Sequence, residues 1–481
     1  MNSSLKKALS ILLSVSVILS LAGCRIVYKT SSKDVESVYY DVITVEDELP
    51  SETASSAEGT GTSGSQKKPS GNKGGNTSSA APAKPEKEKK LSGSLKIQVF
   101  INESQNPSDA WTEVADAFEE ATGVNVTLIM GSQVNTQYSA RWLAGEAPAD
   151  ILLIAGNGLP DEQMAKSGTF YDLTDIIKNG KVYGTSKKIS DAVNMKIIET
   201  DKGKMYRAPL MTSVQGLWYN KNVIKTAPRN YSEFKAVSQK QKSGLTYPGQ
   251  YADYSTWGLF MPAVAAYGQD FFNQVASGNP NSFKDNRFMA VLNKYEDYCK
   301  SKLVLTGSSS ADHISSQLNW LNGKCGFITN GLWLESEMHD YIPGNFHMAF
   351  MASPLIESNQ KPTVILNSVN LAVAKKAKNL ENALAFIRFV YKEDMQLAFM
   401  SRYSYASALN SVNYQRAGMS SVARETLDYI YSGKVNIVNK GVRWNDLINN
   451  EFKNVINDMT NGKMTAKQAS AALYNAAKKS S

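Results

Sequence analysis

From residue 94 the chain alternates two hydrophobic periods. "SLKIQVF" sets Leu95, Ile97 and Val99 on one strand face, and Trp111, Val114, Ala115, Phe118 and Ala121 then recur at helical spacing. Ser108 can cap that helix and Gly123 can end it. "VNVTLIM" and "DILLIAG" (Asp150 to Gly156) follow as apolar strands. This order predicts a buried parallel sheet with right-handed crossovers. In such sheets ligands sit at the carboxyl ends of the strands, which points to the loops after Phe100 and Ala155. The chain beyond residue 92, about 390 residues, exceeds the size at which one core stops growing, so two lobes are expected.

The chain ahead of that body cannot fold in the same way. Lys6 and Lys7 precede an apolar stretch, Ala8 to Leu21, too short for an ordinary membrane span and flanked like a secretory signal. The stretch closes on Leu21-Ala22-Gly23-Cys24, which resembles the bacterial lipobox. The resemblance implies a signal peptide over 1–23 and a lipid on Cys24, placing the protein on the outer face of the cell membrane. From Arg25 to Lys90 the composition turns to Ser, Thr, Gly, Lys, Glu and Pro, which cannot bury enough apolar surface to pack. Residues 24–92 are read as a disordered tether, whose flexible part spans roughly 45 Å end to end.

Charge and cysteines exclude several classes. The formal net charge is +8, but the basic residues are scattered, without the basic and aromatic runs of nucleic-acid binders. No nucleic-acid partner is expected. Cys299 and Cys325 permit one disulfide or two isolated thiols, and unpaired thiols are the reading preferred. His313, His339 and His347 have no metal-binding context, so neither metal nor cofactor is expected.

Farther along, "KMYRAPLMTSVQGLWYNKNVI" reads as a crossing strand, a new strand and a turn. Helical patterns follow at Tyr231 to Lys242, Trp257 to Gly268 and Arg287 to Lys302. Asn379 can cap a helix burying Phe386 and Ile387, and an apolar stripe runs from Leu447 to Met459. Taken together, "AWTEVADAFEEATGVNVTL", "PADILLIAG", "SGTFYDLTDII", "STWGLFMPAVAAYGQD", "LNGKCGFITNGLW" and "NGKMTAKQASAALYNAA" resemble, in this order, the extracellular solute-binding proteins of ABC importers, the maltose-binding branch included.

That resemblance implies an α/β clamp of two lobes, each a mixed, mainly parallel sheet flanked by helices and joined by several hinge crossings. Residues 93–209 with 368–411 would form one lobe, and 210–367 with 412–481 the other. The crossings would fall near 208–213, 367–370 and 410–413. The implied role is a monomeric receptor that delivers a sugar or oligosaccharide to ABC permease subunits.

A sugar offers hydroxyl edges and an apolar face, so its site needs flat aromatics beside amides and carboxylates. By the family motifs the stacking pair is Trp333 and Tyr254, with Trp257 closing the Tyr254 segment as a further ligand-binding candidate, and Trp444 resembles a third platform whose distance to Gly462 departs from the pattern. First-lobe polar contacts fall on Glu103, Asn157 and Asp161. Ser213 stands where the family motif carries an acid, and Asp253 or Glu335 is the compensating candidate.

Two other classes compete. A tethered glycan hydrolase needs two carboxylates flanking the scissile bond. Glu335 and Asp340 read as one helix, and no G-x-S-x-G, metal or phosphate motif occurs, so no catalytic residue is assigned. A receptor presenting ligand to a membrane sensor shares all of these sequence features.

Overall fold

The computed structural model describes residues 27–29, 88–102, 107–155, 159–403, 405–440 and 446–480. They hold β1 (Val27–Lys29), β2 (Ser94–Phe100), β3 (Asn125–Gly131), β4 (Ile151–Ile154), β5 (Ala208–Ser213) and β6 (Gln215–Asn220). After these come β7 (Leu245–Thr246), β8 (Phe327–Gly331), β9 (Met348–Met351), β10 (Thr363–Val373), β11 (Ala406–Ser407) and β12 (Asn436–Asn439). One sheet has the order β1-β3-β2-β4-β10-β5-β11, with β12 also beside β10; the other is β7-β8-β6-β9.

The alternating start folds as its pattern dictates. β2 buries Leu95, Ile97 and Val99 completely and pairs in parallel with β3 and β4. The crossover to β3 is the helix Ser108–Thr122, which buries Trp111, Val114, Ala115 and Phe118 and stops at Gly123, whose φ of 76° suits a residue without Cβ. Its cap position belongs to Pro107; Ser108 is already the first helical residue.

Both sheets are mixed, with less parallel pairing than this start suggests. β10 runs antiparallel to β4 and β5, and β6 runs antiparallel to β8 and β9. The connections between lobes are the cause. β5 leaves the first sheet toward the second, and β10 comes back, so it must run against the strands that lead outward. The first change of lobe takes one residue, Val214, between the end of β5 and the start of β6. β10 serves both lobes: residues 363–366 pair with β12, and 367–373 pair with β5 and β4.

Each lobe has packed clusters, and one cluster spans both, with Ile197, Leu397 and Met400 packed with Trp218 and Trp320. Leu95, Trp111, Phe118 and Phe386 pack on one face of the first sheet, and Trp142, Leu152 and Phe170 on the other. In the second lobe Phe234, Phe260, Phe327 and Phe452 share one cluster and Trp218, Trp320 and Phe350 another. The period of two along β6 sends Leu217 and Tyr219 to the first of these and Trp218 to the second, so Trp218 is core. Cys299 and Cys325 are not bonded to each other, and burial pushes both thiols up to about 12.

The ordered body reaches back to Glu88, inside the stretch that composition assigns to the tether. The Glu88 carboxylate accepts from Arg388 Nη1 and Nη2 at 3.0 and 2.6 Å and from the Gly184 backbone N–H at 2.7 Å. Leu91 is buried. Two ion pairs, Glu88 with Arg388 and the exposed Lys89 with Glu381, and one leucine hold this segment, which a compositional window averages away. Val27–Lys29 pairs with β3 at the sheet edge.

Candidate functional site

Between the sheets lies a cleft of about 810 Å³. Its first-lobe wall starts at Ile154, the carboxyl end of β4, and continues through the short helix Asp161–Lys166, with Glu199 beside it. The crossings add Ser213, Gln215, Asn367 and Ser368. The second lobe contributes Asp253, Trp257, Lys440 and Asn449. The cleft thus opens where the outgoing strands end, as strand direction requires.

The first-lobe wall rests on a buried guanidinium. Arg207 donates from Nε and Nη2 to Asp161 Oδ2 at 3.1 and 2.6 Å and from Nη2 to the Asp161 carbonyl at 3.2 Å. Its Nη1 lies 3.9 Å from Glu199 Oε2. On the opposite wall Asn449 Nδ2 donates to Asp253 Oδ1 at 2.9 Å. A carboxylate only accepts, so this bond fixes the amide orientation and leaves Asn449 Oδ1 as a second acceptor. The side-chain oxygens of Asn449, Gln215 and Asn367 are buried and receive no hydrogen bond. Acceptors left in this way suit a partner rich in O–H or N–H groups.

Trp257 supplies the aromatic surface. Its ring meets Phe272 edge-on at 6.5 Å, and the Lys440 ammonium sits 4.6 Å from the indole centroid. The cleft therefore offers carboxylates, amides, two hydroxyls and one indole among the described residues. Among the described residues no group of three or more His, Cys, Asp and Glu side chains is placed to hold a metal ion.

The structure brings Asp161, Ser213, Asp253 and Trp257 together in this cleft. It does not bring Tyr254 and Trp333 to the same surface. They meet edge to face at 6.0 Å and 87°, with Tyr405 5.9 Å from Trp333 and His313 4.8 Å from Tyr254. Both are buried, and burial raises the Tyr254 phenol above its ordinary range. Trp333 lies two residues beyond the end of β8, which runs through Asn330 and Gly331 rather than turning there. Glu335 is placed elsewhere again: its carboxylate accepts from the Ser420 hydroxyl at the start of the helix Ser421–Tyr431. Asp340 is exposed beside His339. Glu103, Asn157, Trp444 and Cys24 lie outside the described residues.

Sequence reasoning missed Arg207, Glu199, Gln215, Asn367, Lys440 and Asn449. Asn367 lies on a crossing that the family resemblance implies, so a polar residue at a crossing was an available signal. Asn449 sits beside buried Ile448 on the helix Asp446–Thr460, and nothing in the period distinguishes it from a solvated position. Arg207 is 4% exposed, and an arginine before a strand reads as surface by default.

Known proteins resemble the chain in sequence and in fold. Residues 103–397 match the family model described as bacterial extracellular solute-binding protein. The chain is 23% identical over 307 residues to the multiple sugar-binding protein of Streptococcus mutans, a match covering 60% of this chain and 70% of that one. It is 24% identical over 298 residues to a maltodextrin-binding protein of Bacillus subtilis, covering 59% of this chain and 66% of the relative, just under two thirds of its length. Among solved structures, a chitin oligosaccharide binding protein superposes with a TM-score of 0.63 at 15% identity, over 80% of this chain and 98% of that one. The apo form of RafE from Streptococcus pneumoniae gives 0.62 at 16% identity, over 81% and 99%.

Proposed function

The chain belongs to the bacterial extracellular solute-binding proteins, and from that membership we propose that it is a tethered receptor for a sugar or oligosaccharide, passed on to an ABC permease. The observation that carries the reading is the cleft itself. Its volume of about 810 Å³ falls within the roughly 300–1,000 Å³ of small-molecule sites. Both lobes and their crossings line it, so rotation about Val214 and β10 would close the walls on a bound solute. Acceptors on each wall suit hydroxyls, and the Trp257 indole suits a C–H face of a sugar ring. Sugar binding by the named relatives supports the substrate class.

In this reading Asp161, Ser213, Asp253 and Trp257 contact the solute, with Glu103, Asn157 and Trp444 as further candidates. Tyr254 and Trp333 would join only through a rearrangement that opens their edge-to-face pair. Cys24 carries the lipid, and the stretch up to Glu88 tethers the body outside the cell membrane. Binding without turnover is the whole chemical task.

Thermal-shift screening of the purified protein against neutral mono- and oligosaccharides tests the proposal, because a ligand that binds only the folded state raises its melting temperature. A saturable rise with no released product is expected. Silence across the panel, or turnover of labelled oligosaccharide, would overturn it.

A further inference from the structure

The first-lobe wall depends on a residue that does not itself line the cleft. Asp161 opens a helix of six residues, and Glu199 lies in a segment without regular structure. Neither element can hold a carboxylate still by its own stability, since a helix this short does not persist alone. Arg207 reaches both. Its three hydrogen bonds to Asp161 and its 3.9 Å approach to Glu199 come from one planar fork, a geometry that a lysine ammonium cannot copy. The residue after Arg207 begins β5, all six of whose residues are buried and which runs straight into the change of lobe at Val214.

From this geometry we infer that Arg207 is a positioning residue of the ligand site: it fixes Asp161 and Glu199 as acceptors and ties both to the crossing strand. The inference rests on the cleft being the ligand site. A guanidinium that is 4% exposed is costly to bury unless ionic partners answer it, and here both partners come from the cleft wall. Without it, both carboxylates lose the guanidinium that each approaches, and the wall would spread. A solute that pulls on Asp161 or Glu199 pulls, through Arg207, on the strand that leads into the hinge.

A double-mutant cycle tests this in the full chain, using Arg207→Gln, Arg207→Lys, Asp161→Ala and the combination of Asp161→Ala with Arg207→Gln. Affinity is read by titration calorimetry with a saccharide that shifts the wild-type protein. Arg207→Gln is expected to weaken binding about tenfold or more, and Arg207→Lys to recover little of it. In the Asp161→Ala background the added loss should be small, because the residue through which Arg207 acts is already gone. Additive losses would mean a general structural role and would overturn the inference.

A second arm needs no ligand. Amide hydrogen exchange in Arg207→Gln should quicken at residues 161–166 while β2 and β3 stay protected; unchanged exchange at 161–166 would overturn the inference equally. If the wild-type protein binds no saccharide, the sugar-receptor reading falls and the exchange result still decides the case of Arg207.

Discussion

Trp257 and Trp333 look alike in the sequence, each beside an apolar run, yet tertiary contacts send them to different surroundings. Trp257 lines the cleft, while Trp333 folds back on its own strand, so that a Cβ added at Gly331 would lie 2.3 Å from the Trp333 ring. Gly331 is therefore required by close approach. Gly331→Ala should displace the indole and destabilise the protein by about 1–3 kcal/mol, seen as a lower denaturation midpoint and an altered near-ultraviolet circular dichroism spectrum. Asp253 is exposed on the cleft wall, with Asn449 as its hydrogen-bond partner. Asp253→Ala should leave the melting temperature nearly unchanged and weaken saccharide binding by about 1–3 kcal/mol. Unchanged affinity would place the solute away from that wall.

At the scale of elements, two contacts hold segments that composition and period do not explain. Burial raises the Glu335 carboxyl above its ordinary value, although the Ser420 hydroxyl it accepts from acts in the opposite direction. A carboxyl whose folded value is raised supports the fold in its protonated form. Its contribution is present below the unfolded value and lost as pH rises through the folded one. Glu335→Gln stays neutral, so the variant should gain melting temperature over the wild type between about pH 4 and pH 7. A constant difference across that range would refute the assignment. The second contact is Glu88 with Arg388. The stability of a chain starting at Glu88, which also lacks the edge strand β1, is the reference. Starting the chain at Gly93 should lower it by about 1–3 kcal/mol, because Arg388, only 22% exposed, loses its carboxylate. Denaturant melts of the two truncations give the comparison.

At the scale of the whole molecule the design is two sheets with their packed clusters, joined where β5 passes into β6 and by β10. Closure costs little when it is concentrated at few positions, and here Val214 alone separates β5 from β6. A saccharide that binds only the closed form should reduce the radius of gyration in small-angle scattering. At about 100 times its dissociation constant it should stabilise the protein by about 2.7 kcal/mol. A stability gain with no change in size would mean that the solute binds one lobe and leaves the clamp open.

The sequence by itself determined the class and the count of lobes. Strand and helix periods act over a few residues, so β2, the helix Ser108–Thr122 and β3 follow from local pattern, and chain length alone forces a second core. The two strands in succession around Pro209 were legible as well, because apolar residues lie on both sides of it; that a change of lobe falls near 208–213 came from the family resemblance. Strand direction was not: β10 runs against β4 and β5 because it returns from the other lobe, and no local pattern records where a strand comes from. Much of the cleft was hidden for the same reason. Asp161 lies 46 residues from Arg207 along the chain, and the charges of Arg207, Asp161 and Glu199 have meaning only once folding sets the guanidinium 2.6 and 3.9 Å from the two carboxylates. Hydrophobic periodicity reports which side of an element is buried; what a buried or half-buried polar group faces across a gap is decided by the packing of other elements, and only the tertiary structure supplies that.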